Sequence, residues 1–214
     1  MISRERPFKD KQLTIPYPLA PSSAPRVLVL GIGNILWADE GFGVRAVEQF
    51  HRTYEAPDNV TILDGGTQGL YLVQFLNEHD RVIVFDAIDY GLEPGTMKLV
   101  LDEEVPKFTG AKKMSLHQTG FQEVLSAADL MGHYPERLAL IGCQPLDLDA
   151  WGGPLTAPIK AVVPTAVEMA ARILRSWGVA VATRPDGAVV RPLLENDIDC
   201  EHFERRAGSA AFDT

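Results

Sequence analysis

The chain has 214 residues, of which 46% are hydrophobic and 23% are charged, a composition typical of one globular domain with its own core. Its formal net charge of −9 argues against binding to nucleic acid or to an anionic lipid surface. The sequence has no run of about 18 apolar residues that could span a membrane and no apolar signal-peptide segment, and its two cysteines form neither a disulfide framework nor a CxxC metal site. We therefore expect a cytoplasmic protein.

The sequence divides into three parts by composition. Residues 1–24 hold four prolines among polar residues, which predicts a weakly packed leader. Residues 25–178 carry regular hydrophobic patterns and predict the folded domain. Residues 179–214 lose that periodicity and contain four arginines against seven acidic residues, which predicts an acidic and largely mobile tail.

Strand and helix patterns alternate through the domain. They predict, in chain order, a strand at 26–32, a helix at 40–54, a strand at 59–63, a short helix at 68–78, strands at 81–85 and 96–101, a helix at 118–131, a strand at 138–142 and a helix at 158–177. This alternation is typical of a three-layer α/β/α domain with a mostly parallel sheet. Strand 96–101 is reached without a helical crossover, so we expect it to pair antiparallel at or near an edge. Pro164 indicates either a shorter last helix that begins near it or a longer, kinked one.

The first strand ends in a glycine-containing turn that first suggests a dinucleotide site. Gly31 and Gly33 break the apolar run, and Asp39 and Glu40 precede the first helix. The dinucleotide fingerprint needs a third glycine three residues after Gly33, where it lets the helix and the strand pack closely. Leu36 stands there and is expected to fill that space, which argues against a dinucleotide-binding oxidoreductase.

Three polar residues follow segments that should end on the same rim of the sheet. Glu40 follows the first strand, Asp86 directly follows the RVIVF strand, and His117 ends a polar loop and opens a helix. Two carboxylates and an imidazole from separate loops make a candidate site for a divalent transition metal, with open positions for substrate. The simpler interpretations are a solvated first-turn acid, a capping aspartate and a surface or helix-start histidine, respectively.

Other polar residues have structural interpretations. Asp39 is expected to cap the first helix, and Asp64 is expected to lie in a turn before two glycines. Cys143 ends an apolar strand and is expected to be a buried structural thiol. Neither HExxH nor GxSxG occurs, so zincin and serine-hydrolase chemistry lack support.

Seven stretches of the sequence together resemble a known family. They are GIGNILWADEGFG (31–43), LDGGTQG (63–69), FDAIDYG (85–91), PGTMKL (94–99), SLHQTG (115–120), IGCQP (141–145) and DLDAWGGPLT (147–156). They resemble the nickel–iron hydrogenase maturation proteases, and the last stretch is similar to the subgroup that serves uptake hydrogenases. The resemblance implies a three-layer α/β/α sandwich, phosphorylase/hydrolase-like, with a five-stranded mixed, mostly parallel sheet.

The implied activity is a single proteolytic cut. Such an endopeptidase removes the C-terminal extension of the hydrogenase large-subunit precursor after nickel has been inserted. By motif match, the metal-binding triad falls on Glu40, Asp86 and His117. We expect this triad to reach for nickel that the precursor already holds, so that nickel, or another divalent metal in its place, serves as the recognition anchor. No nucleic-acid or membrane partner is expected.

The DGGT segment of the family implies a role in substrate recognition for Gly65, Gly66 and Thr67. The general base is left open between Asp39 and Asp64. Rival functions are a nickel-dependent chaperone that binds the large subunit without cutting it, a dinucleotide-binding oxidoreductase and a peptidyl-tRNA hydrolase. The last is disfavoured by the negative charge and by the absence of a proline after the asparagine of the first turn.

Overall fold

The computed structural model describes residues 24–106, 118–194 and 198–210. In these ranges the chain forms β1 (Val27–Ile32), α1 (Phe42–Thr53), β2 (Tyr54–Glu55), β3 (Val60–Gly66), α2 (Val73–Asn77), β4 (Arg81–Ala87), β5 (Met97–Leu101), α3 (Gln118–Leu130), β6 (Arg137–Cys143), α4 (Ala157–Ser176), β7 (Ala182–Thr183) and α5 (Cys200–Ala210). Short 3₁₀ helices cover Ala38–Gly41, Gly69–Leu72 and Asp102–Glu104.

The central sheet has five strands in the order β3-β1-β4-β6-β5. β1 pairs in parallel with β3 and β4, β4 pairs in parallel with β6, and β5 pairs antiparallel with β6 at the edge. The predicted antiparallel edge strand is therefore confirmed, as is the α/β class with a mixed, mostly parallel sheet. Parallel pairing brings the carboxyl ends of β1, β3, β4 and β6 to one rim, which is where open α/β sheets place their sites.

Both faces of the sheet are covered by helices. Val27 and Val29 of β1 pack in a cluster with α1 and α4, whereas Leu28 and Leu30 pack in a second cluster with α2 and α3. A strand that is buried on both faces must be apolar at every position, which explains the continuous runs in the sequence. Polar side chains are therefore displaced to the ends of these strands.

The close packing of α1 on the sheet depends on Gly31 and Gly43. A Cβ on Gly31 would lie 2.3 Å from the carbonyl oxygen of Gly43, and a Cβ on Gly43 would lie 2.1 Å from that of Ile32. The expectation that Leu36 fills the gap between helix and strand is wrong, because its side chain is 40% exposed. The glycine that permits the close approach lies seven residues further along the chain.

The structure decides the lengths of β3 and α4. β3 continues to Gly66, because Asp64 and Gly66 still pair with β1 across a bulge. α4 contains 20 residues with Pro164 inside it, so the longer of the two predicted helices is present. Gly178 follows α4 with φ of +78°, a backbone conformation that glycine adopts without strain.

The described part of the C-terminal segment packs on the domain, which differs from the expectation of a mobile tail. β7 pairs antiparallel with β2, and Val179, Val181 and Leu194 are buried. α5 lies against α1 and α4, where Lys160 forms an ion pair with Glu204. Tertiary contacts stabilise this segment although its sequence has little periodicity. The predicted leader falls almost entirely outside the described residues, and no helix within the described ranges is long and apolar enough to cross a membrane.

Candidate active site at the carboxyl rim of the sheet

The turn after β1 folds back across the end of the strand and carries Glu40 to the rim. Gly33 makes this possible, because its φ is +140° and a Cβ there would lie 1.9 Å from the carbonyl oxygen of Glu40. Any larger residue at this position would push the loop outward. The sequence pattern identified the turn, but only the structure shows that Gly33 fixes the distance between the loop and the strand.

Asp86 is the penultimate residue of β4 and is 5% exposed. Burial raises the pKa of its carboxyl group well above the ordinary range, and the nearby charge of Glu40 raises it further, while a hydrogen bond from the Ala87 backbone lowers it. Glu40 is itself partly buried. Glu40 is therefore not a fully solvated first-turn acid, and its charge acts on the buried Asp86 carboxyl group.

A site with two nearby carboxylates favours a proton or a cation between them. Oxygen ligands of this kind fit a divalent metal, and a histidine would complete the O/O/N set that the sequence predicts. His117 lies outside the described residues, so the triad remains a prediction. Among the residues that the structure describes, no group of three His, Cys, Asp or Glu side chains is arranged to hold a metal.

Asp64 lies on the same rim, on the other side of β1. In the sheet register Gly31 pairs with Asp64 of β3 and with Phe85 of β4, so Asp64 and Asp86 are separated by two strand spacings, about 10 Å between backbones. The Asp64 carboxylate accepts a hydrogen bond from the Gly66 backbone at 2.8 Å. The prediction that Asp64 lies in a turn is wrong, because β3 continues through it to Gly66. Burial raises the pKa of Asp64, and the positive charge of Arg45 acts in the opposite direction.

Gly65 and Gly66, next to Asp64, have no space or no suitable backbone conformation for a larger residue. A Cβ on Gly65 would lie 2.7 Å from a methyl carbon of Leu30, and Gly66 has φ of +44°. Thr67 follows them and is exposed. Of these three residues, Gly65 is buried and Thr67 is the accessible one next to Asp64.

Asp39 is fully buried and does not cap the first helix. α1 has Gly41 as its N-cap, without a side-chain capping bond. The Asp39 carboxylate instead accepts hydrogen bonds from the backbones of Leu146 (2.9 Å), Asp147 (2.9 Å) and Thr156 (2.7 Å), and a fourth from the Thr156 hydroxyl (2.9 Å). The prediction of a helix cap is wrong, because Asp39 joins the first loop to the 146–156 segment.

The same segment covers the first loop through two tryptophans. Trp37 and Trp151 form an isolated antiparallel bridge, and their rings meet edge to face with centroids 4.9 Å apart. The backbone N–H of Gly152 donates to the carbonyl of Leu36 at 2.8 Å. Sequence reasoning did not select this pair, and the only available signal was the placement of two tryptophans in two separate motifs.

Gln144 organises the segment that follows Asp86 and was also missed. It is 6% exposed, and its Oε1 accepts hydrogen bonds from the backbones of Tyr90 (2.7 Å) and Leu92 (3.1 Å). Its Nε2 donates to the Asp89 carboxylate at 3.1 Å. A glutamine directly after an apolar strand is a signal that could have identified it, since a buried amide needs several partners.

Tyr90 and Cys143 lie near Asp86 but belong to the two core clusters on opposite faces of the sheet. A Cβ on Gly142 would lie 2.1 Å from the Tyr90 hydroxyl oxygen, so the phenol packs directly on β6 beside Asp86. Burial, followed by the charge of Asp86, raises the pKa of Tyr90. Cys143 is fully buried, and burial together with Asp39 raises its pKa to about 12. The predicted structural thiol is confirmed, and its protonated form is not a nucleophile near neutral pH.

Comparison with known proteins identifies relatives over most of the chain. A family model described as hydrogenase maturation protease matches residues 44–173. The chain is 80% identical over 199 residues to the hydrogenase expression/formation protein HupD of Rhizobium leguminosarum bv. viciae, which covers 93% of this chain and 98% of that protein. It is 44% identical over 161 residues to the Hydrogenase 2 maturation protease of Escherichia coli K12, with 74% and 96% covered.

Solved structures agree with this result. The hydrogenase maturating endopeptidase HybD from Escherichia coli has a TM-score of 0.71 at 42% identity and covers 76% of this chain and 99% of its own. The hydrogenase maturation protease HycI from Thermococcus kodakarensis has a TM-score of 0.58 at 26% identity and covers 72% and 95%. The region matched by the family model includes Asp64 and Asp86 and ends before α5 begins.

Proposed function

The chain belongs to the hydrogenase maturation protease family and is an endopeptidase, and we propose that it removes the C-terminal extension of a nickel–iron hydrogenase large-subunit precursor after nickel insertion. The proposal includes the cytoplasm as the place of the reaction. Nickel in this reaction belongs to the precursor and is recognised as part of the substrate.

The observation that carries the nickel-dependent part of the proposal is the carboxylate pair Glu40 and Asp86. Asp86 is buried and is destabilised in its charged form both by burial and by Glu40. A divalent cation brought in by the precursor would favour the ionised form of both groups, so the pocket is complementary to a metal-bearing substrate and poorly suited to a metal-free one. His117 is the proposed third contact, because carboxylate and imidazole donors together suit nickel.

Nickel on the precursor would supply a Lewis acid beside the scissile carbonyl. The chain's own residues have two tasks in this scheme. Glu40 and Asp86 orient the precursor by holding its metal-bearing end at the rim. Gly65, Gly66 and Thr67 are the proposed contact for the adjacent peptide, next to the Asp64 carboxylate, and Thr67 is the exposed member of the three.

Asp64 is the better candidate for the general base. Asp39 is fully buried and its carboxylate already accepts four hydrogen bonds, so it has no room for a water and a substrate. Asp64 is partly exposed, accepts a backbone bond from Gly66 and has a raised pKa, which increases its basicity. In this assignment Asp64 takes the proton of the attacking water, and Asp39 holds the loop that carries Glu40.

The test is intact-mass spectrometry of a large-subunit precursor incubated with this protein, with the precursor either nickel-loaded or nickel-free. We expect loss of one C-terminal peptide from the loaded precursor alone. Cleavage of both forms would keep the protease and discard the metal anchor. Stable binding of the loaded precursor without any cleavage would favour the chaperone function and contradict the proposal.

A further inference from the structure

Arg45 connects the candidate active site to the C-terminal segment. It lies in the first turn of α1, immediately after the 3₁₀ helix that carries Glu40, and is 6% exposed. Its Nη1 donates to the Glu48 carboxylate at 3.1 Å and to the backbone carbonyl of Ile198 at 2.8 Å, and its guanidinium carbon lies 5.3 Å from the ring centroid of Phe203. Two of these three contacts come from the C-terminal segment.

Glu48 depends on the same segment. It is 2% exposed and accepts hydrogen bonds from the backbone N–H of Cys200 at 3.1 and 3.2 Å, besides its ion pairs with Arg45 and Arg52. A buried ion pair is stable only when its remaining donors and acceptors are satisfied. The Arg45–Glu48 pair therefore has its hydrogen bonds to the backbones of Ile198 and Cys200 only while residues 198–203 are docked.

α5 and the loop that carries Glu40 line the same small pocket. Phe203 and Glu204 of α5 line it together with Ile35, Ala38 and Gly41 of the loop. The ion pair between Lys160 and Glu204 fixes α5 to α4 at the same place. Loss of α5 would expose this side of the loop to water.

Arg45 also acts on Asp64. Its positive charge favours the ionised carboxylate of Asp64, whereas Glu48 acts against it. Its Nη2 is buried without a hydrogen-bond partner among the described residues, so the orientation of the guanidinium is set by the contacts on its Nη1 side and by Phe203.

From these contacts we infer that the C-terminal segment 198–204 is a functional part of the enzyme, because it clamps Arg45 at the start of α1 and so positions the preceding loop, which carries Glu40, for the cleavage proposed above. Arg45 and Phe203 are positioning residues in this arrangement and do not touch the substrate. The inference rests on the proposed function only for its effect on cleavage. The family model ends at residue 173, so family membership assigns this segment no role.

The experiment compares Phe203→Ala with wild type in the full-length chain and uses Arg205→Ala as the matched control. Arg205 lies on the same helix, but its ion pair with Glu201 is exposed. Hydrogen–deuterium exchange should be faster at residues 38–41 in Phe203→Ala and unchanged in Arg205→Ala. The kcat/KM for precursor cleavage should fall roughly tenfold or more in Phe203→Ala and stay unchanged in Arg205→Ala, because the loop that carries Glu40 is displaced.

Arg45→Lys is a second variant, which keeps the positive charge but cannot contact both Glu48 and the Ile198 carbonyl as the guanidinium does. We expect it to fold, to bind the precursor and to show an intermediate kcat/KM. The inference is overturned if residues 38–41 of Phe203→Ala exchange hydrogen at the wild-type rate. It is also overturned if the loss of activity in Phe203→Ala and Arg45→Lys is fully explained by the fraction of unfolded protein. If the wild type itself fails to cut, the proposed function fails, and the exchange data still decide whether the clamp exists.

Discussion

Asp39 and Asp86 lie on neighbouring parts of one rim, and both are almost completely buried, yet their surroundings differ. Asp39 accepts four hydrogen bonds from a segment more than a hundred residues away in sequence. Asp86 lies beside another carboxylate, and burial raises its pKa. Burial alone therefore does not identify a functional carboxylate. What separates the two residues is whether hydrogen bonds from the protein offset the free-energy cost of burying the charged carboxylate.

Asp86→Asn tests this difference first, and we expect it to have the largest effect on cleavage. Cleavage of the nickel-loaded precursor should fall about a thousandfold or more, since a lost metal contact removes several kcal/mol of stabilisation. Stability of the metal-free protein should change in the opposite direction. Because the native pKa of Asp86 lies above its unfolded value, its ionisation costs stability as the pH rises through and above 3.8.

Neutral asparagine removes that cost, so Asp86→Asn should unfold at higher urea concentration than wild type at neutral pH. The difference should shrink at about pH 3, where the wild-type carboxyl is protonated in both states. Urea titrations at the two pH values measure this. A variant that is less stable than wild type at neutral pH would mean that Asp86 is a structural group like Asp39.

The second prediction concerns Asp64, which combines local hydrogen bonding with partial exposure. Asp64→Asn should lower kcat about a hundredfold, the effect of losing a general base, with little change in stability. In the wild type, kcat/KM should fall as the pH drops through the Asp64 pKa, which burial places above 3.8.

The same pH profile tests the neighbours of Asp64. In Arg45→Gln, the fall of kcat/KM at acid pH should move to higher pH, because Arg45 lowers the pKa of Asp64. Burial and Glu48, which raise that pKa, are unchanged. The fall at acid pH should be lost in Asp64→Asn. An unchanged fall in Asp64→Asn would assign the titration to another group and would remove Asp64 from the reaction.

The third prediction has the smallest effect on the chemistry and concerns Asp39. Asp39→Ala should lower the free energy of unfolding by about 3 kcal/mol, because it leaves four donors of the 146–156 segment without their charged acceptor. At temperatures where the variant is folded, its kcat should fall less than that of Asp64→Asn, because Asp39 acts only by holding the loop that carries Glu40. A loss of kcat as large as that of Asp64→Asn, without a loss of stability, would return Asp39 to the role of base.

Local pattern was enough to predict the sheet and the position of its rim. β4 and β6 appear as continuous apolar runs because both of their faces are buried, and β5 was assigned to an antiparallel edge because no helix precedes it. The polar residues that close these strands could be named for the same reason. Glu40 and Asp86 are candidates in the sequence, and the structure adds that their charges interact.

The role of Asp39 and the docking of α5 could not be predicted in this way. The partners of Asp39 lie 107 to 117 residues away, and the acceptor of Arg45 at Ile198 lies 153 residues away. No local periodicity encodes such contacts. The segment after residue 178 looked mobile because its order comes from these contacts and not from a hydrophobic pattern of its own.

The α/β architecture, the carboxyl rim and the family could all be predicted from sequence. This was possible because hydrophobic period, glycine placement and motif order are properties of residues that are neighbours along the chain. Only the tertiary structure shows that the buried Asp39 carboxylate accepts four hydrogen bonds, whereas burial raises the pKa of Asp86. It also shows that Gly43, and not a residue at position 36, lets α1 pack closely on the sheet. These outcomes depend on hydrogen bonds and close contacts between distant segments, and such contacts form only when the chain has folded.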